Sequence, residues 1–272
     1  MNNERIPLTI TLKPWFSDHH FRGRTILPAV ETMALLASMA MKSYPGVDVR
    51  VMEQVRFPRF LEIPGDAATV AALCECHTDG DGSVCCKLLS RVRLKTMSRV
   101  QEHGLVNFPL WRNDCLSGSE RLDWPEVTEP VTTIDADRIY RELVPFGPYY
   151  QTLQGKLSLA GTRAWGWLKA PMLPPEPVHD SIGSPFPLDG ALHGACVLGQ
   201  QSVDFVPFPV GFAQRLILRP TLPGATYRTR IVRTSQSTEE LSFDLEIFDD
   251  EGCCYESVTG VRMRDVSGAM QR

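Results

Sequence analysis

Nowhere does the chain hold an uninterrupted apolar stretch approaching the ~20 residues that a membrane-spanning helix needs, so no such helix is predicted. A basic surplus is also missing. The net charge is −4, and nucleic-acid binding usually leaves a positive footprint. The opening MNNERIPLTITLKPW carries an acidic residue and no apolar core; it is not read as a secretory signal, and the cytoplasm is the default location. Among the cysteines no C-x-x-C pair is matched by a second pair at zinc-finger spacing. What is present is ordinary globular material: 43% hydrophobic and 22% charged over 272 residues. That is enough for one large domain or two small ones sharing a core.

The 8 cysteines are Cys74, Cys76, Cys85, Cys86, Cys115, Cys196, Cys253 and Cys254. ATVAALCECHTDGDGSVCCKLLSRVRL reads as two strands joined by the turn residues DGDG. Alternation along a strand puts Cys74 and Cys76 on one face and sends Cys85 and Cys86 to opposite faces. The expectation is structural thiols, with no metal on Cys74, Cys76 and His77 and no required disulfide.

Along the chain, IPLTITLKP reads as a strand closed by proline. PAVETMALLASMAMK reads as a helix with proline at its first position. Apolar residues occupy almost every side of it, which predicts a helix buried in the middle of something. VDVRVMEQVRFPRFL, the cysteine hairpin and SRVQEHGLVNF are strand-like. NDCLSGSERLDWPEVTEPVTT loses all periodicity and reads as a linker. IDADRIYRELV is a short amphipathic helix capped by Asp135 or Asp137. FGPYYQTLQGKLSLAGTRAWGWLKA follows as a turn and two strands. A proline-rich loop then leads into LDGALHGACVLGQQ, a second buried helix with small residues on its packing faces.

The two halves resemble one another. In each, a buried helix precedes an apolar residue–Pro–Gly step (Ile63-Pro64-Gly65; Leu222-Pro223-Gly224), then strand, polar turn and two more strands. Two copies of one unit are predicted, each a helix wrapped by a long antiparallel sheet, with subdomains at 1–125 and 126–272.

Each helix starts beside ionisable residues. His19, Gly23 and Pro28 form HxxxGxxxxP, and Asp189 and His193 form DxxxH, four apart and so on one helical face. If the halves pack side by side, an imidazole and a carboxylate face each other in an apolar channel. Neutral imidazole can take an α-proton near neutral pH. A carboxylic acid in an apolar site can stay protonated and donate to a leaving hydroxyl. The chemistry this suits is elimination of water from a 3-hydroxyacyl thioester.

HHFRGRTILP, LDGALH and VPFGPYYQTLQ together resemble the dehydratase domains of polyketide synthases and animal-type fatty acid synthases, in the right order over nearly the whole chain. The resemblance implies an α+β double hotdog, with two antiparallel sheets each wrapped around a central helix. It implies His19 as base, Asp189 as acid and His193 as the residue that orients Asp189. Gly23, Pro28, Gly147, Pro148 and Tyr149 fall to substrate binding, Gly23 and Gly147 being most simply turn glycines. Asp18 is expected at the surface and His20 is read as pointing elsewhere. Phe146 stands where the family commonly has Tyr, so a hydroxyl is lost there unless Tyr149 or Tyr150 replaces it. No cofactor is implied, the substrate riding on the phosphopantetheine arm of an acyl carrier protein.

That carrier protein is the partner expected, with other synthase subunits or a second copy as homodimer alongside it. Arg22 and Arg24 are the candidate docking residues for an acidic carrier and its phosphate. The chain is read as a free-standing dehydratase or a piece of a synthase. The alternatives are a product-template cyclase, a double-bond isomerase, or a silent acyl-binding domain.

Overall fold

The computed structural model describes residues 5–93, 97–109, 129–174 and 176–267. The boundary drawn at 125/126 lies outside them, as does most of the polar connection around it.

In the first half the strands are β1 (Arg5–Thr11), the short pair β2 (His20–Phe21) and β3 (Arg24–Thr25), β4 (Val51–Arg56), β5 (Thr69–Thr78), β6 (Val84–Arg93) and β7 (Ser98–Phe108), with helix α1 (Ala29–Ser43) between β3 and β4. The second half contains β8 (Thr132–Asp135), the turn of helix α2 (Ala136–Arg138), β9 (Leu153–Ala160), β10 (Arg163–Lys169), the short α3 (His179–Ile182) and the long α4 (Phe186–Gln200). It closes with β11 (Pro207–Ile217), β12 (Thr226–Gln236), β13 (Glu240–Phe248) and β14 (Cys254–Asp265). No helix among the described residues is long and apolar enough to cross a membrane.

Twelve strands form one sheet in the order β1-β5-β6-β7-β4-β11-β14-β13-β12-β10-β9-β8. Up to β10 that order reads the same from either end, with β4 matching β11 and β5 to β7 matching β12 to β14. The expected pair of sheets is therefore a single sheet, because β4 and β11 pair antiparallel at its middle, Val55 opposite Phe212 and Met52 opposite Arg215. Left apart, each would expose a row of unpaired N–H and C=O groups. Joining the halves satisfies both rows.

Helix α1 packs on β5, β6 and β7, and α4 packs on β9 to β13. Pro28 is the N-cap of α1 and not its first residue; its ψ of 146° is extended, and the helix begins at Ala29. Glu31 in the first turn is buried, which its charge tolerates because Lys13 Nζ lies 2.7 Å away. In α4 every residue from Phe186 to Gly199 is buried, as the apolar-all-round pattern requires.

The cysteine hairpin forms with Cys76 opposite Cys86 and His77 opposite Cys85. Cys74 Sγ lies 3.4 Å from Cys76 Sγ, so those two do share a face. The reading of the hairpin cysteines as thiols is corrected at one pair: Cys76 and Cys86 are bonded, their Cα atoms 4.3 Å apart. Directly opposed residues in a non-hydrogen-bonded antiparallel pair approach this closely. Alternation fixes which face a cysteine occupies, but register decides which cysteine it meets. His77 alternates to the other face, where its donor atom gathers with those of Asp79 and Cys85 within 4.8 Å. The trio Cys74, Cys76 and His77 weighed from sequence is not the one assembled.

Candidate active site

A cavity of about 370 Å³ is lined by residues of both halves, His19 from one and Asp189 and His193 from the other among them. It is within the size range of small-molecule sites. Its walls are largely apolar, with Leu27, Phe57, Phe60, Leu61, Leu192 and Phe208 contributing.

His19 ends the 3-10 turn Pro14–Asp18. Its N–H donates to the Phe16 carbonyl at 3.0 Å and its carbonyl accepts from Ile26 N–H at 3.1 Å, which fixes the backbone. The ring is buried, with Nδ1 3.0 Å from the Ile26 carbonyl oxygen. A carbonyl can only accept, so Nδ1 carries the proton and Nε2 the lone pair. Burial lowers the imidazole pKa to about 4, although Asp189 pulls the other way. The ring stacks on Phe146 at 4.5 Å and meets Tyr150 edge-on at 5.1 Å. The ring is held neutral.

Asp189 lies in the first turn of α4, at the positive end of the helix dipole. One helical turn on, His193 Nε2 stands 3.0 Å from Asp189 Oδ2. That approach is off the line of a well-formed hydrogen bond, and Oδ2 has no other polar partner among the described residues. Phe146 lies between the two histidines, 4.9 Å from the His193 ring. Phe146 is thus a flat apolar wall shared by both rings.

Not every residue assigned from the sequence borders the cavity. Gly23, Pro28, Gly147, Pro148 and Tyr149 lie outside its lining. Gly23 and Arg22 form the tip between β2 and β3 with φ of 76° and 51°, a two-residue hairpin turn that favours glycine. Gly147 has ordinary φ and no turn role of that kind. A Cβ there would strike Asp18, and its N–H donates to the Asp18 carbonyl at 2.8 Å. Tyr149 is exposed, and its N–H donates to Asp18 Oδ2 at 2.9 Å.

Asp18, expected at the surface, is therefore a half-buried clasp that ties the His19 segment to the Phe146 segment. His20 also borders the cavity, contrary to the reading that it points elsewhere, with Nδ1 3.2 Å from the Asp18 carbonyl. Arg22 borders the cavity, whereas Arg24 is paired with Glu62 at 3.5 Å.

Further titratable groups line the wall, His103 and Cys196 among them. His103 has Nδ1 2.9 Å from the Phe60 carbonyl and Nε2 2.7 Å from Ser90 Oγ, so both nitrogens are engaged. Burial pushes the Cys196 thiol up to about 12, which keeps it protonated and a poor nucleophile.

Sequence reasoning missed Tyr140. After α2 the chain makes a π turn over Ile139–Leu143, and Tyr140 is buried there with its hydroxyl 3.3 Å from His193 Nδ1. π turns are frequent at functional sites.

The fold so described is that of polyketide synthase dehydratase domains. A dehydratase domain of a trans-AT polyketide synthase from Brevibacillus brevis superposes with a TM-score of 0.73 at 16% identity, covering 96% of this chain and 93% of that one. The dehydratase domain of RzxB from Pseudomonas fluorescens gives 0.69 at 16% identity, covering 89% and 86%. The bifunctional dehydratase-cyclase domain of ambruticin biosynthesis gives 0.69 at 18% identity, covering 96% and 91%. No protein-family model and no curated protein sequence matches the chain.

Proposed function

We propose that the chain dehydrates a 3-hydroxyacyl thioester, carried on an acyl carrier protein, to the 2-enoyl thioester in polyketide or fatty-acid-type assembly. One observation carries the reading. A buried imidazole with its proton committed to a backbone carbonyl shares an apolar cavity with a carboxyl group from the other half of the chain.

His19 Nε2 takes the α-proton, and the electron pair of that C–H bond becomes the second bond between Cα and Cβ. The C–O bond at Cβ breaks, and the hydroxyl takes a proton from Asp189 and leaves as water. Low polarity around the pair strengthens these charge interactions. Incubation with a short 3-hydroxyacyl thioester, following enoyl absorbance, tests the reading. No absorbance gain from a folded protein would leave an acyl-binding domain. A cyclised product would favour the activity named for the dehydratase-cyclase neighbour.

Arg22 is the better docking candidate of the arginine pair. It is exposed beside the cavity, while the charge of Arg24 is offset by Glu62. Arg22→Glu is expected to weaken turnover of carrier-bound substrate by roughly tenfold at low salt, with the difference shrinking as ionic strength rises. Arg24→Glu should do less. Turnover of a small soluble thioester, measured in parallel, should hardly move; equal losses on both substrates would place the docking surface elsewhere.

A further inference from the structure

We infer that Tyr140 is a positioning residue of this site: its hydroxyl fixes the tautomer of His193, so that the ring presents an N–H and not a lone pair to Asp189. The inference rests on the dehydration reading for its consequence, but its geometry stands apart from it.

Among the described residues the hydroxyl has two hydrogen-bond partners, and Thr152 also lies near it, acting as a donor that pulls the phenol's pKa down. Leu153 N–H donates to Tyr140 Oη at 2.8 Å. An amide N–H cannot accept, so the phenol's own proton has to go elsewhere. His193 Nδ1 is 3.3 Å from the same oxygen, and both side chains are buried. Burial also raises the phenol's pKa well above its usual value, so the proton is there to give. With O–H directed at Nδ1, that nitrogen holds the lone pair. The single proton of the neutral ring then sits on Nε2, the atom 3.0 Å from Asp189 Oδ2.

The opposite tautomer would place an acceptor nitrogen against the carboxyl that has to protonate the leaving hydroxyl. The acid's O–H would then turn toward His193 and away from substrate. With Nε2 protonated, His193 can only donate, and the carboxyl proton has no acceptor on that side. Neither tyrosine weighed from sequence does this. Tyr149 is exposed, and the Tyr150 hydroxyl has no polar partner among the described residues. The hydroxyl that reaches the Asp–His pair comes instead from the π turn ahead of Phe146.

The test uses Tyr140→Phe, His193→Gln and the double variant. Imidazole nitrogen NMR of histidine-labelled wild-type protein, with the His193 signals assigned by their loss in His193→Gln, should show a bare Nδ1 and a protonated Nε2. In Tyr140→Phe that preference should relax to a mixture. Its kcat should fall about tenfold, the scale of one lost buried hydrogen bond, with KM within about twofold.

In the His193→Gln background, where no tautomer exists, removing the hydroxyl should change kcat little further. A protonated Nδ1 in the wild type overturns the inference, even if Tyr140→Phe fails to fold. An unchanged tautomer in Tyr140→Phe, or fully additive kcat losses, also overturns it. The NMR measurement needs no substrate, so an inactive wild type would end the dehydratase reading without deciding this one.

Discussion

His19→Ala is expected to cut dehydration of a 3-hydroxyacyl thioester by about a thousandfold or more, leaving the circular dichroism spectrum close to that of the wild type. General-base assistance is worth roughly 10²–10⁴, and of the three other histidines that border the cavity, His193 and His103 are already engaged. His193 is committed to Tyr140 and Asp189, and His103 has both nitrogens engaged. The same residue carries a pH signature. Its folded pKa of about 4 lies below the ordinary 6.5, so folding favours the neutral ring. Stability from this source is full above about pH 6.5 and is lost as pH falls through 4. Its size is of the order of 3 kcal/mol at neutral pH.

His19→Gln removes the titration and keeps an amide that can donate to the Ile26 carbonyl. Its denaturant midpoint should therefore fall less steeply than the wild type's between pH 6.5 and 4. Some slope will persist, because burial also lowers His103 and His179. A His19→Ala protein that still dehydrates at a tenth of the wild-type rate would remove His19 from the base role.

Much of this site was legible because it depends on local pattern. The strand alternation of SRVQEHGLVNF, the apolar surround of PAVETMALLASMAMK and the fourfold spacing of Asp189 and His193 are short-range signals. Internal similarity of the halves then supplied the long-range step that brings His19 and Asp189 to one cavity. What stayed hidden depends on register and on irregular backbone. Cys76 meets Cys86 because the hairpin pairs in one register out of several. Tyr140 reaches His193 through a π turn, which breaks the 3.6-residue periodicity that a helical reading assumes. Asp18 reads as a surface carboxylate until the Gly147–Tyr149 segment folds across it. The union of two sheets into one is a choice between edges, and neither β4 nor β11 announces its partner.

That seam also conceals the largest stability effect expected. Arg215 on β11 and Glu256 on β14 are buried to 2% and 1% exposure, joined by Nε to Oε1 at 2.7 Å and Nη2 to Oε2 at 3.1 Å. Arg215 stands opposite Met52 of β4, and its Nη1 lies 3.9 Å from the Met52 sulfur, so the pair sits where the two halves join. Two buried charges are costly to desolvate, and their mutual attraction roughly offsets that cost while both are present. Remove one, and the other is left uncompensated.

Glu256→Ala is expected to cost about 3–5 kcal/mol. For a chain of this size that is on the order of 10 °C in Tm by calorimetry. Replacing both partners by apolar residues, Arg215→Met with Glu256→Leu, should recover most of the loss, since no unpaired charge remains. Below its own Tm the double variant should keep its dehydration rate, because the pair touches no residue of the cavity wall named here. A Glu256→Ala protein melting within 2–3 °C of the wild type would mean that water or another group reaches Arg215, and that the joint between the halves is held by strand pairing alone.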